Sequence, residues 1–98
     1  MLLIRSVEVL RDYWLRLSLS DGTKIERNVA GLIRGPVFQA LREDYSQFQS
    51  ARVRHGTVAW PGDLDIDPAV LIWNGAGPTD AAAPPPDRLV LRHPTWPA

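Results

Sequence analysis

The chain has 98 residues, of which 45% are apolar, and its eleven Lys and Arg residues balance eleven Asp and Glu residues. This length fits one small domain, and the zero net charge provides no overall basic field that would attract nucleic acid or an anionic lipid surface. The absence of cysteine excludes disulfide scaffolds and Cys-based metal or redox sites. The apolar run 1–4 ends at Arg5 and is too short for a signal peptide or a membrane span, so we expect a cytoplasmic protein without membrane contacts.

The first third of the chain alternates apolar and polar residues with the period of β-strands. One strand is indicated near the start, a second has three leucines on one face, and a third covers residues 24–29. Asp21-Gly22 separates the last two strands and is a strong hairpin signal. Residues 2–29 are therefore predicted to form a three-stranded meander.

The length of the hairpin loop follows from which residues must share a face. A two-residue loop would put the apolar sets of the two strands on opposite faces, whereas the three-residue loop 20–22 pairs Leu17 with Ile25. Gly22 then takes a left-handed conformation in a bulge. Two outer pairs follow from this register: Arg16 with Glu26, and Trp14 with Asn28. Arg27 falls opposite Leu15 among the inward positions, which favours a place near an edge of the sheet.

Short helices are predicted after the meander. Gly35-Pro36 places a proline at a first helical position, and the apolar residues that follow recur at helical spacing. Asp44 can cap a second helical turn, whose Tyr45 and Phe48 would face inward.

A second hairpin and a closing helix follow. The two-residue loop His55-Gly56 puts Val53 opposite Val58, and the alternation directs Trp60 inward, where an indole ring stabilises a core. Further on, Asp67 caps a closing helix and Pro68 is its first residue. The positions with a predicted structural role are Gly22, Pro36, Trp60, Asp67 and Pro68.

The predicted fold class is α+β: a small antiparallel sheet, made of the meander and the second hairpin, with two or three short helices. This domain covers residues 1–75. Residues 76–98 contain six of the nine prolines and form a Pro/Ala-rich tail. Within the tail, residues 87–92 have the pattern of a short strand, which could join a sheet edge of this domain, of a second copy or of another protein.

Residues for catalysis or metal binding are scarce. Asp63, Asp65 and Asp67 alternate, but a calcium loop starting at Asp63 needs Gly and Glu where Pro68 and Asn74 stand. Neither His55 nor His93 has an orienting carboxylate nearby in the sequence, and nucleotide-binding motifs are absent. The sequence therefore predicts no catalytic, cofactor-binding or metal-binding residues, and a protein that is not an enzyme.

Tryptophan and arginine indicate contacts with a partner. There are four tryptophans, and ten of the eleven basic residues are arginine, which makes forked contacts with carboxylates and stacks on aromatic rings. Exposed Trp beside Arg is typical of an interface hot spot, and cover of the Trp by the protein's own tail is the alternative. The candidate partner-binding residues are Trp14, Arg16, Trp73, Leu89, Leu91 and Trp96.

Three stretches carry a family resemblance: the hairpin loop region 17–23, the helix start 35–42, and the run Val58-Ala59-Trp60-Pro61-Gly62-Asp63-Leu64-Asp65-Ile66-Asp67-Pro68. With these stretches over roughly residues 3–73, the protein resembles the small bacterial domain-of-unknown-function 2442 family. The resemblance implies an α+β domain that is joined in some relatives to a helix-turn-helix domain. It also implies a gene beside that of a second small protein, as in toxin–antitoxin pairs. It implies no activity and no catalytic residue.

Three functional hypotheses result. The leading one is a non-enzymatic protein-interaction module, which would be the antitoxin-like or regulatory half of a two-gene system. Its expected partner is the product of the adjacent gene. A homodimer formed through the tail is a second possible arrangement. The alternative is a nucleic-acid-associated regulator, in which phosphates contact Arg5, Arg11, Arg16, Arg52 and Arg54. The Pro-rich tail, in place of a helix-turn-helix domain, argues against it. The third is a small-molecule or enzymatic role in a pocket around His55 or residues 63–67.

Overall fold

The computed structural model describes residues 2–74 and 85–92, which form two small β-sheets and short helices. The strands are β1 (Ile4–Val9), β2 (Trp14–Leu19), β3 (Lys24–Gly31), β4 (Arg52–Arg54), β5 (Thr57–Trp60), β6 (Leu64–Ile66) and β7 (Arg88–Arg92). The helices are a 3-10 helix (Pro36–Phe38), α1 (Gln39–Glu43), α2 (Tyr45–Phe48) and α3 (Pro68–Trp73). One sheet has the strand order β1-β2-β3-β7 and the other β4-β5-β6. This architecture confirms the predicted α+β class.

The meander has the predicted register. Leu17 pairs with Ile25, and the outer pairs of Arg16 with Glu26 and Trp14 with Asn28 are also present. The three-residue loop is closed by a hydrogen bond from the backbone N–H of Leu19 to the carbonyl of Thr23, and Gly22 has a φ of 89°. A φ in this range strains residues with a Cβ, which explains the glycine.

The expectation for Arg27 is wrong. Strand β7 pairs in parallel with β3, so β3 is an interior strand of the sheet. The Arg27 side chain points inward from this strand and is fully buried. The error has a simple origin: the strand that covers β3 comes from about 60 residues further along the chain, beyond the reach of local alternation.

The second sheet contains the predicted hairpin and one strand that the sequence did not indicate. Val53 pairs with Val58, and both residues of the loop have positive φ, 54° at His55 and 77° at Gly56. The unpredicted strand is β6, which pairs antiparallel with β5 just before the Asp67 cap. It is fastened to β5 by a hydrogen bond from the Thr57 hydroxyl to the carbonyl of Ile66.

The helix starts follow the sequence signals. Pro36 opens the 3-10 helix, and Pro68 opens α3. The Asp67 carboxylate caps α3 by accepting a hydrogen bond of 2.8 Å from the backbone N–H of Ala69. Asp44 caps α2 in the same way. Tyr45, expected to face inward, is 37% exposed.

A continuous hydrophobic core joins both sheets and the helices. Trp60 lies in it with 1% exposure, as predicted, and its indole Nε1 donates a hydrogen bond of 2.9 Å to the carbonyl of Phe48. The inner face of the four-stranded sheet therefore packs on the core, and the outer face carries the polar residues. In the described part of the chain, no helix is long and apolar enough to cross a membrane.

Candidate functional site

A row of alternating charges crosses the outer face of the four-stranded sheet. Its members, directly opposite one another on neighbouring strands, are Glu8 on β1, Arg16 on β2, Glu26 on β3 and Arg88 on β7. We call this set the charged row. Its N···O distances are 3.1 Å for Arg16–Glu8, 3.4 Å for Arg16–Glu26 and 3.6 Å for Arg88–Glu26. Exposed pairs of this kind contribute only about 0–1 kcal/mol each to the free energy of unfolding. The charges nevertheless alternate in sign from strand to strand across the outer face.

Beside the charged row lies an open cleft of about 300 Å³. The guanidinium carbon of Arg88 stands 4.1 Å from the centre of the Trp14 ring, a cation–π contact. Arg88, from the Pro-rich tail, therefore covers part of Trp14, and this side chain stays partly exposed. We call the cleft the Trp14 cleft; it is lined by Leu10, Arg11, Trp14, Glu26 and Arg88.

Strand β7 has one face in the core and one in solvent. Leu91 is fully buried, and Leu89 is partly buried against the core, so neither belongs to the exposed surface. Val90, between them, is 60% exposed on the same face as the charged row. The apolar residue that β7 presents to solvent is thus Val90, which the sequence analysis did not single out.

Arg27 explains how β7 and α3 are held against the sheet. Its guanidinium donates hydrogen bonds of 2.7 Å and 2.9 Å to the carbonyls of Leu71 and Ile72, near the C-terminal end of α3. A third bond, of 2.9 Å, reaches the carbonyl of Pro86 just before β7, and a fourth reaches the carbonyl of Glu26. Desolvation lowers the pKa of Arg27 to about 10, against an opposing effect of the Asp87 charge, so the group is cationic at neutral pH.

Sequence reasoning missed this role of Arg27. The available signal was its position: an arginine among inward-facing residues must find carbonyl or carboxylate partners, because a buried cation without them is costly. Its partners come from residues 71, 72 and 86, which no local pattern connects to β3.

The remaining candidate residues do not join the Trp14 cleft. Trp73 is half-buried and packs on the core, and Trp96 lies outside the described residues, as does His93.

The arginines of the nucleic-acid hypothesis differ in their surroundings. Arg16 is paired within the charged row, and Arg54 is paired with Asp63 at 3.1 Å. The other three are exposed: Arg5, Arg11 and Arg52. In residues 2–74 and 85–92, no three acidic or histidine side chains are close enough together to hold a metal ion.

Comparison with known sequences places the chain in a family. Residues 4–76 match the family described as "Protein of unknown function (DUF2442)". The match covers most of the 98 residues, and the chain belongs to this family. It ends before β7, so the strand that completes the four-stranded sheet lies outside the matched region. No curated protein and no solved structure matches the chain significantly.

Proposed function

We propose that this chain is a non-enzymatic protein-interaction module that contacts its partner with the outer face of the four-stranded sheet near β7. The observation that carries the proposal is the Trp14 cleft, where Arg88, on the last described strand of the sheet, stacks on Trp14 of β2. The exposed Val90 lies on the same outer face, two residues along β7 from Arg88. Tryptophan and arginine are enriched among the residues that dominate binding energy at protein interfaces. The hydrophobic side chain of Val90 adds apolar area that a partner can cover.

The charged row supports a protein partner rather than a polyanion. Its positive residues each lie beside a glutamate, so these four residues present alternating signs and no run of positive charge. Alternating charge at an interface selects partners and fixes their orientation more than it adds affinity.

The finer proposal concerns the biological setting. We infer that the module is the antitoxin-like or regulatory half of a two-gene bacterial system in the cytoplasm, and that the adjacent gene encodes its partner. The support is the resemblance to a family whose genes occur beside that of a second small protein.

The test is co-expression of the full chain with the product of the adjacent gene, followed by co-purification and titration. We expect a stable complex at micromolar concentration, and we expect Trp14→Ala to weaken it by about tenfold or more, as for an interface hot spot. Val37→Ala is the matched control, because Val37 is 67% exposed but lies on the 3-10 helix, away from the cleft. Failure to associate at micromolar concentration would remove the proposal.

The same preparation tests the alternative of a nucleic-acid regulator. Contacts between phosphates and the exposed Arg5, Arg11 and Arg52 would make the affinity for DNA or RNA fall steeply with salt concentration. We expect no such salt-dependent binding.

A further inference from the structure

One edge of β7 carries backbone groups that no described strand uses. The backbone N–H of Glu26 donates to the carbonyl of Asp87 at 2.7 Å, and in this parallel register the next bonds to β3 come from Leu89 and Leu91. The N–H and C=O groups of Arg88 and Val90 therefore point to the opposite side. In the described part of the chain, β7 is the last strand of its sheet on that side.

The charged row also stops at β7 with a cation. Along it, the signs run negative, positive, negative, positive from Glu8 to Arg88. Arg88 has its single carboxylate contact within the described residues on the β3 side, at 3.6 Å from Glu26, and its side chain is 60% exposed. A strand added at this edge would continue the alternation by placing a carboxylate opposite Arg88, and opposite charges in direct cross-strand pairs stabilise a sheet.

A second copy of this chain fits the edge poorly. If β7 of one copy lay antiparallel to β7 of another and centred on Val90, residue 88 of each copy would stand opposite residue 92 of the other, and both are arginine. Like charges directly opposite each other destabilise strand pairing. Shifting the register to avoid these pairs would leave part of a five-residue strand unpaired.

We propose that the outward edge of β7 binds an extended segment of a partner protein as a fifth strand, with an acidic residue opposite Arg88 and an apolar residue opposite Val90. The proposal rests on the function proposed above and names the chemistry of the partner. Backbone pairing at the edge supplies affinity, and the alternate side chains on the outer face supply specificity.

The test uses the full chain, labelled with ¹⁵N, and a capped seven-residue peptide of threonine with valine at its centre and glutamate two positions to either side. This peptide reads the same in both directions, so it can pair in parallel or antiparallel. We expect saturable shifts of the Arg88 and Val90 amide signals. The matched peptide with lysine in place of both glutamates should bind about fivefold more weakly or worse.

Two variants separate the edge from other binding sites. Val90→Pro removes an N–H that points away from β3, so the pairing with β3 is retained and binding of the glutamate peptide should weaken by about tenfold. Val90→Thr keeps both the N–H and the branched side chain and serves as its control. Arg88→Glu should reverse the preference so that the lysine peptide binds more tightly than the glutamate peptide.

Three results would overturn the proposal. The first is equal binding of the two peptides, and the second is peptide binding that Val90→Pro does not weaken. The third is a mass in solution of the free protein that rises with its concentration, which would identify a second copy as the occupant. If the complex with the product of the adjacent gene survives Val90→Pro but is weakened by Trp14→Ala, the interaction function stands and the edge site is wrong.

Discussion

The Nε of Arg27 donates a hydrogen bond of 2.7 Å to the backbone carbonyl of Leu71, 44 residues further along the chain. Carbonyls in the last turn of a helix have no partner within the helix and favour a nearby cation, so this bond also stabilises the C-terminal end of α3. A further bond from the same guanidinium to Pro86 fixes the start of β7. One buried side chain thus joins β3, α3 and the strand that completes the sheet.

Replacing Arg27 should therefore destabilise the whole domain. We expect Arg27→Ala to lower the free energy of unfolding by about 3 kcal/mol or more, because it leaves buried carbonyl groups without donors and opens a cavity. The measurement is urea unfolding followed by tryptophan fluorescence. Arg52→Ala, at an exposed position, should change the stability by no more than about 0.5 kcal/mol. Equal effects of the two changes would show that the hydrogen bonds of Arg27 contribute nothing.

The two faces of β7 should respond differently to truncation. Leu91→Ala removes a fully buried side chain and should cost about 2–4 kcal/mol of unfolding free energy. Val90→Ala, one residue earlier, removes a side chain exposed to solvent and should cost about 0.5 kcal/mol or less. Thermal or urea unfolding of both variants measures the two losses of stability and allows them to be compared. Similar small losses would mean that β7 does not pack on its own chain.

Local patterning was enough to predict the meander and its register, because the face that an alternating strand buries fixes its pairing. The pairs Leu17–Ile25 and Val53–Val58 follow from this rule alone. The rule could not place β7, since the parallel pairing of β3 with a strand some 60 residues away leaves no mark in either segment.

The candidate site depends on that same distant pairing. Trp14 and Arg16 were predicted on the outer face, and the register confirms their neighbours there. The contact of Arg88 with Trp14 exists only once β7 has docked, and the exposure of Val90 follows from which face of β7 the core covers. These features needed the tertiary structure.

Trp60 should be a large contributor to stability. We expect Trp60→Ala to cost about 3–5 kcal/mol, since it removes a buried ring stacked on Phe48 and leaves the Phe48 carbonyl without its indole donor. Trp14→Ala, at the outer face, should cost clearly less. Thermal unfolding monitored by circular dichroism compares the two, and near-wild-type stability of Trp60→Ala would contradict the observed packing.

The Asp44 carboxylate that caps α2 should make the free energy of unfolding depend on pH in the acidic range. Hydrogen bonds from the hydroxyl and the backbone N–H of Ser46 lower the pKa of Asp44 below its usual value of 3.8. The stabilisation by this carboxylate is fully present above the unfolded pKa and is lost as the pH falls through the lower folded pKa.

Asp44→Asn retains a capping side chain without a titrating group. Between about pH 4 and pH 2, we therefore expect the stability of the Asp44→Asn variant to fall less than that of the wild type. The measurement is the urea midpoint of unfolding at a series of pH values. Ser46→Ala should also reduce the loss, because it removes the hydroxyl hydrogen bond that contributes most to the lowered pKa. Identical acid profiles for all three proteins would exclude Asp44 as a source of the pH dependence.

Both proposals require that β7 is paired through β3 on one side and open on the other. Native-state amide exchange of the full chain measures this residue by residue. The N–H groups of Leu89 and Leu91, which face β3, should exchange slowly, and those of Arg88 and Val90 should exchange rapidly in the free protein. Rapid exchange at all four residues would contradict the docking of β7, and slow exchange at Val90 would show that the edge is already occupied.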